Sequence, residues 1–359
     1  MVTLRINNKD ILAEEGSTIL ETARVAGIDI PTLCHNDDLE HYTSCMVCLV
    51  RDNATGKFIP SCSSRIQEGM DIETDSEKVI QIRKKSVELL LSEHRADCEA
   101  PCRIVCPAGY NIPLMNRLLA EEKYTEARAL SLRQTGSTEI WCYNCQGYCV
   151  NACKRKKLDT PVSIRNLQIF ISGDDRQHTG STDKPAKPEK KDKRFNSLAG
   201  KITESELKEW LKESIDNVNR YSDITNDKHA SDESKACMHC DCRAAGGCDL
   251  RSIADRMSLK NISGKLINGE AIKKINRKTN LIFENAKCIK CGLCVRLCEK
   301  YGEEPALCFI NRGFISILSE PLSYGFEEVL IKRTKEVIDI CPTGALAWFK
   351  TDPTVESDQ

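Results

Sequence analysis

Residues 288–313 read CIKCGLCVRLCEKYGEEPALCFINRG, and residues 340–346 read ICPTGAL. Cys288, Cys291 and Cys294 crowd one short loop, and Cys341-Pro342 offers a further thiol downstream. Thiols spaced this closely suit convergence on one inorganic centre better than pairwise crosslinks. The rest of the chain repeats the theme. Of 359 residues 21 are cysteine, an odd total, and most are separated from another cysteine by two or three residues. The opening MVTLRINNKD has no charged start followed by an apolar core and cleavage site. No apolar run of about 18 residues follows it. The expectation is a reduced, cytoplasmic chain with no direct membrane span, in which the thiols bind metal. Net charge is −1 with both signs interspersed, which gives no nucleic-acid track. Aromatic content of 5% is modest core material, so metal ligation is expected to supply part of the folding free energy.

Outward from that loop the chain divides. Val2, Leu4 and Ile6 alternate with polar residues, Asn7–Asp10 turn, and Ile11 and Leu12 resume, predicting a hairpin. Ser17 and Thr18 cap a short helix carrying Ile19, Leu20, Ala23 and Val25, stopped at Gly27. A longer helix runs from about Asp75 to His94 with Val79, Ile82, Val87, Leu90 and Leu91 on its core face. Residues 173–201 are rich in Lys, Asp, Pro and Gly and predict a charged flexible linker. Thr203 with Glu206 then caps a helix whose Leu207, Trp210, Leu211, Ile215 and Val218 share a face.

Cys34, Cys45, Cys48 and Cys62 form a C-x10-C-x2-C-x13-C set suited to a [2Fe-2S] centre with two thiolates per iron. Structural zinc is the alternative. In GIDIPTLCHNDDLEHYTSCMVCLV and its surroundings, residues 1–94 resemble the N-terminal domain of the large iron-sulfur subunit of respiratory complex I and NAD-linked hydrogenases. That resemblance implies a β-grasp fold with a trailing helix.

Within 95–172, Cys98, Cys102 and Cys106-Pro107 precede Cys142, Cys145, Cys149 and Cys153. Seven cysteines leave two [4Fe-4S] clusters one ligand short, with His94 and Gln168 as candidates. CEAPCRIVCPAGYNIPLMNRLLAEEKYTEARAL through VSIRNLQIF is similar to the helical two-cluster domain of the glutamate synthase small subunit and dihydropyrimidine dehydrogenase. Carried across, the resemblance has Cys98, Cys102 and Cys153 share one cluster. Cys106, Cys145 and Cys149 share the other, closed by Gln168 with Cys142 as the competing ligand. The family's first cysteine is missing, and His94 stands near that position, as a histidine does in the complex I subunit.

Residues 202–260 add a compact set, Cys237, Cys240, Cys242 and Cys248, open to iron-sulfur or zinc, with His239 as a bystander. The opening stretch itself, within 261–359, resembles a bacterial ferredoxin domain whose second motif has lost its first three cysteines. One [4Fe-4S] cluster is expected there, and Cys298 and Cys308 are left over as buried thiols.

The whole reads as an α+β multidomain chain: a β-grasp [2Fe-2S] domain, a helical two-[4Fe-4S] domain and a C-terminal ferredoxin-like domain. No G-x-G-x-x-G motif, phosphate loop or catalytic dyad stands out, so no nucleotide or flavin site and no catalytic residue is expected. The resemblances imply an electron-transfer subunit of a multi-subunit oxidoreductase. Its partners would be a flavin- and NAD(P)H-binding subunit, a thioredoxin-like [2Fe-2S] subunit, a hydrogenase or other catalytic subunit, and ferredoxin. An accessory subunit of an NAD-linked formate dehydrogenase and a metal-stapled redox sensor or scaffold are the alternatives.

Overall fold

The computed structural model describes residues 1–94, 98–135, 142, 145–172, 219–244, 246–259 and 272–350. The linker at 173–201 and the helix expected from Thr203 lie outside the described residues. These fall into two compact units, one chiefly of residues 1–94 with 244–347, the other of residues 98–172 with 219–243.

In the first unit, β1 (Val2–Ile6) buries Val2, Leu4 and Ile6 and turns Thr3 and Arg5 outward. Asn7 and Asn8, at φ 48° and 63°, make the left-handed two-residue turn that suits the twist of a hairpin. They return the chain into β2 (Lys9–Ala13), paired from Val2↔Ala13 to Ile6↔Lys9. Leu12, on the outer face of β2, is exposed. The helix Ile19–Val25 opens on a reciprocal cap. Thr18 Oγ1 accepts the Glu21 N–H at 3.2 Å, and the Glu21 carboxylate accepts the Thr18 N–H at 2.6 Å. Ile19, Leu20 and Ala23 face the sheet, whereas Val25 is 91% exposed, against the sequence expectation, because it lies on the opposite helix face.

β3 (Leu49–Asp52), β4 (Phe58–Pro60) and β5 (Asp71–Glu73) complete a sheet of order β2-β1-β5-β3-β4, with β1 and β5 parallel. This mixed sheet with its packed helix is the β-grasp. The helix Glu77–Glu93 buries Val79, Val87 and Leu91 as the pattern predicts. It also buries Arg83, whose Nε donates to the Leu49 carbonyl at 2.7 Å. Burial lowers the Arg83 pKa to about 10.

The other half of this unit holds the helix Asp249–Arg256, β6 (Lys273–Asn276), β7 (Leu281–Glu284) and the helix Leu293–Tyr301. The hairpin β8 (Cys308–Ile310) and β9 (Ile317–Ser319), the helix Thr334–Asp339 and β10 (Leu346–Trp348) follow. β10, β7 and β6 form one sheet in that order.

The second unit is helical among its described residues. Pro101–Ile104, Ile112–Ala120, Tyr124–Thr135, Tyr148–Asn151 and Ile164–Ser172 surround a core of Tyr110, Ile112, Met115, Leu119, Leu167 and Ile171. Asn111 caps the second of these helices, its side chain accepting the Leu114 N–H. The helix Asp227–Lys235 joins this core through Ala230, and polar contacts hold it there. The buried Glu233 carboxylate accepts from Arg220, the Tyr221 N–H and the Ser163 N–H at 2.8–3.1 Å. Asp241 accepts a forked pair from Arg117 at 3.0–3.1 Å, and both side chains are nearly buried. Burial pushes the Asp241 carboxyl up, but the Arg117 charge and its hydrogen bonds prevail and hold it well below the usual range.

Removing one partner of such a pair leaves a buried charge alone, at a cost of about 3–5 kcal/mol. Asp241→Asn should therefore destabilise the helical unit by roughly that amount in denaturant unfolding, and Arg117→Met with Asp241→Leu should recover most of it. Because the folded Asp241 pKa is depressed, its contribution is present above the unfolded value of about 3.9 and fades as the pH falls below it. Acid titration of unfolding in the wild type and the double variant checks this.

Candidate metal centres

Cys34, Cys45, Cys48 and Cys62 are brought together beside the β-grasp sheet, all buried. They meet in two pairs. The Cys45 thiol hydrogen-bonds Cys34 and, despite burial, lowers its pKa to about 5, helped by the Cys45 and Ser44 main-chain N–H groups. Cys62 does the same for Cys48, lowering it to about 6. Cys45 and Cys62 are correspondingly pushed up, because giving up the shared proton would set two anions together. The Val47 N–H also points at Cys45 Sγ, at 3.5 Å. Met46, at φ 55°, bends this loop through the left-handed region.

In the same unit Cys288, Cys291, Cys294 and Cys341 line one cavity, whose apolar wall includes Leu293, Phe309, Leu318 and Leu346. Burial, then the charge of Cys341, raises Cys288 to about 12, and Cys291 and Cys294 also shift upward through burial. The Lys290 N–H donates to Cys288 Sγ at 3.4 Å, with Lys290 at φ 55°. Beneath the loop lies a buried ion pair, Lys287 with Glu284, and Thr343 Oγ1 donates to the Lys287 carbonyl at 2.8 Å. Cys298 is buried as expected, but Cys308, on β8, is only half-buried.

A contact not foreseen from sequence joins these two sets. Arg296, on the helix that follows Cys294, donates to the Cys34 carbonyl at 2.8 Å and to the Glu40 carbonyl at 2.5 Å. It also lies over the Tyr42 ring. Lys300 reaches the Asp38 carbonyl at 2.6 Å. No local spacing could have signalled it, since the partners are more than 250 positions apart.

In the helical unit Cys106, Cys142, Cys145 and Cys149 are within electrostatic reach of one another. Cys142 Sγ donates to Gln168 Oε1 at 2.9 Å, so the two competing ligands are adjacent. Burial raises Cys142 and Cys149 to about 12, with the charges of neighbouring cysteines adding to it.

A second cavity there is lined by Cys102, Cys153, Cys237 and Cys240. This differs from the expected grouping in two ways. Cys98 is not on the cavity wall, although Cys102 and Cys153 are. The compact set at 237–248 does not line one cavity together. Cys237 and Cys240 face the cavity, the Cys242 N–H donates to the Cys98 carbonyl at 3.1 Å, and Cys248 belongs to the first unit. There Cys248 caps the helix Asp249–Arg256, its sulfur accepting the Arg251 N–H at 3.5 Å. The physical reason is that Ala236 and Asp241, flanking Cys237 and Cys240, are each gripped by an arginine of the helical core.

His94 ends the long helix of the first unit and is buried. Burial, then the Lys287 charge, lowers its pKa to about 4, so the imidazole is neutral at physiological pH. Its Nδ1 is buried without a hydrogen-bond partner. A neutral ring with an unsatisfied nitrogen is the state a metal ligand needs.

These features fit iron-sulfur cores. Among the described residues no three Cys, His, Asp or Glu side chains stand at the spacing of a single-ion site. None of the described helices is long and apolar enough to cross a membrane.

Residues 1–77 match the 2Fe-2S iron-sulfur cluster binding domain, and residues 76–180 match the 4Fe-4S cluster domain II of dihydropyrimidine dehydrogenase. Residues 280–347 match the ferredoxin-like domain of NADH-quinone oxidoreductase subunit 3. The chain is similar to the NADPH-Fe(3+) oxidoreductase subunit alpha of Geobacter sulfurreducens, 37% identical over 116 residues, which is 32% of this chain and 13% of that protein. It is 39% identical over 104 residues to the NADP-reducing hydrogenase subunit HndD of Solidesulfovibrio fructosivorans, covering 27% of this chain and 18% of that one. Against the NAD-reducing hydrogenase HoxS subunit gamma of Cupriavidus necator it is 29% identical over 119 residues, 32% of this chain and 50% of the relative. The chain thus spans half or less of the length of these relatives. Its fold is like that of a chain in a crystal structure of an NAD+-reducing [NiFe]-hydrogenase in the H2-reduced state. The TM-score is 0.51 at 18% identity, over 99% of this chain and 90% of that one. The chain therefore carries a β-grasp [2Fe-2S] domain, a helical [4Fe-4S] domain and a ferredoxin-like domain, with homologues among NADH-quinone oxidoreductase and NAD(P)-reducing hydrogenase subunits.

Proposed function

We propose that the chain is an electron-transfer subunit that works between a flavin- and NAD(P)H-binding subunit and a separate catalytic subunit, a hydrogenase. A thioredoxin-like [2Fe-2S] subunit and ferredoxin are its further partners. The observation that carries this reading is the gathering of buried and half-buried thiols into separate groups, one or more in each domain matched to an iron-sulfur family. Iron-sulfur cores bound there supply one-electron redox capacity. The chain's own part is to provide anionic sulfur, keep water away and set the hydrogen bonds to each sulfur.

In this reading the pairs Cys34–Cys45 and Cys48–Cys62 each serve one iron of the [2Fe-2S] core, the division that their hydrogen bonds already make. Cys288, Cys291, Cys294 and Cys341 hold a [4Fe-4S] core, and Cys106, Cys142, Cys145 and Cys149 hold another. Gln168 is then a hydrogen-bonding neighbour of the Cys142 sulfur, not a ligand. His94, buried and neutral, remains a proposed ligand, and Cys98, Cys102, Cys153, Cys237, Cys240, Cys242 and Cys248 serve the remaining centres.

The choice between Cys142 and Gln168 is open to direct test. Cys142→Ala should lose one cluster's iron, whereas Gln168→Leu should keep it; a ligating thiolate can only accept, so the Gln168 amide would turn its Nε2–H toward that sulfur, and removing this donor should lower one reduction potential. Iron analysis with an EPR-monitored redox titration distinguishes them, and iron loss only in Gln168→Leu would make the amide the ligand.

For the function itself, the native assembly is isolated anaerobically, assayed for iron, zinc, sulfide and flavin, and examined by EPR on addition of NAD(P)H. Reduced [2Fe-2S] and [4Fe-4S] signals from this chain, with flavin on a co-purifying subunit, are expected. A zinc-dominated chain with no centre reducible by NAD(P)H would overturn the proposal.

A further inference from the structure

We propose that Cys102, Cys153, Cys237 and Cys240 together hold one [4Fe-4S] cluster, half of whose ligands come from residues 219–243, outside the stretch matched to the 4Fe-4S family. The proposal rests on the iron-sulfur reading above and specifies its ligands.

Four observations converge. First, these four sulfurs share one cavity, and the rest of its wall is chiefly apolar, including Ala100, Ile112, Val162, Ile164 and Met238. Second, the loop Cys237–Cys240 repeats the backbone of the ferredoxin-like loop Cys288–Cys291. In each, the residue two after the first cysteine is in the left-handed region, His239 at φ 47° and Lys290 at φ 55°. In each, that residue's N–H donates back to the first cysteine's sulfur. An L-residue adopts this conformation at a cost, and outliers of this kind gather at functional sites.

Third, the loop is clamped on both flanks by the core that carries the other two thiols. Arg155, two residues after Cys153, donates to the Ala236 carbonyl at 2.6 Å, and Arg117 grips Asp241. Cys237 and Cys240 are thereby held between two fixed points. Fourth, chain order explains why so distant a pair is available. The helical unit lies between two parts of the first unit in sequence, and an inserted unit needs its two ends close together. Cys102 stands near its start and Cys237–Cys240 near its end, and the Cys242–Cys98 main-chain hydrogen bond joins those ends directly.

The test uses the native assembly, prepared anaerobically, with Cys102→Ala and Cys237→Ala made singly and together. Each single variant is expected to lose four irons and four sulfides per chain, and the double variant the same four, since both thiols belong to one cluster. A loss of eight irons in the double variant would assign the two thiols to different clusters and overturn the proposal. Serine variants, which keep the side-chain volume, give a second readout that does not require cluster loss. Cys153→Ser and Cys240→Ser should shift the g-values or potential of the same EPR centre, and Cys98→Ser should leave that centre unchanged. Shifts of two different centres would also overturn it. If the singles and the double alike lose one zinc and no iron, the four thiols are correctly grouped, and the iron-sulfur reading beneath the proposal is what fails.

Discussion

An ionised thiol cannot be held in a dry, apolar cavity without a cation beside it, and most of this chain's design follows from that constraint. Burial, with neighbouring negative charges adding to it, lifts Cys142, Cys237 and Cys288 to about 12. At neutral pH their sulfurs are therefore protonated until a cationic core displaces the protons. The β-grasp site meets the same constraint differently. There each of two thiols gives a hydrogen bond to its neighbour, and this lowers Cys34 and Cys48 despite their burial. Cluster binding must release protons at every one of these sites, so it gains as the pH rises, and it contributes directly to the stability of folds with little aromatic core.

The loops that carry the sulfurs are shaped at some conformational cost. Met46, His239 and Lys290 all sit in the left-handed region, each disfavoured by about 1–2 kcal/mol for an L-residue. In return an N–H group turns toward a sulfur, at 3.5 Å for Cys45 and 3.4 Å for Cys288. Such N–H groups lower the energy of the thiolate and tune the potential of whatever it binds. A loop under this strain needs a rigid mount. The mounts are arginines reaching main-chain carbonyls or a buried carboxylate: Arg155 and Arg117 around Cys237–Cys240, and Arg296 at the carbonyl of Cys34. Arginine suits the task because its fork remains charged when nearly buried, as it is against Asp241.

Much of this was legible in the sequence where the signal is local. The alternation at Val2, Leu4 and Ile6, the Asn7-Asn8 turn and the cap at Thr18 each follow from nearest-neighbour chemistry. So does the convergence of Cys288, Cys291 and Cys294. The misreadings arose where a face or a partner is decided at long range. Val25 fits the helical pattern but lies beyond the strip that meets the sheet. Nor does any local signal show that Arg83 turns inward to donate to the Leu49 carbonyl. Cys237, Cys240, Cys242 and Cys248 are close in sequence, yet only the first two line the cavity of Cys102 and Cys153, and Cys248 lies in the other unit. The C-x2-C spacing at 237–240 is shared with 45–48 and 288–291, and it sets this pair apart from Cys242 and Cys248.

That separation has a topological origin. Read in line, the chain is a string of domains, and each motif is assigned to cysteines near it. Compactness groups it otherwise, with residues 98–172 and 219–243 forming a unit between two parts of another. Closing a long insertion costs little more entropy than closing a short one, since the cost grows only with the logarithm of length. It still obliges the insertion to return to where it began. The return is what brings Cys242 to Cys98 and carries Cys237 and Cys240 to the cavity of Cys102 and Cys153. A thiol pair contributed at the point of return also crosslinks the ends of the insertion through whatever it binds. Loss of that ligation would therefore loosen the closure of the whole helical unit as well as one redox centre.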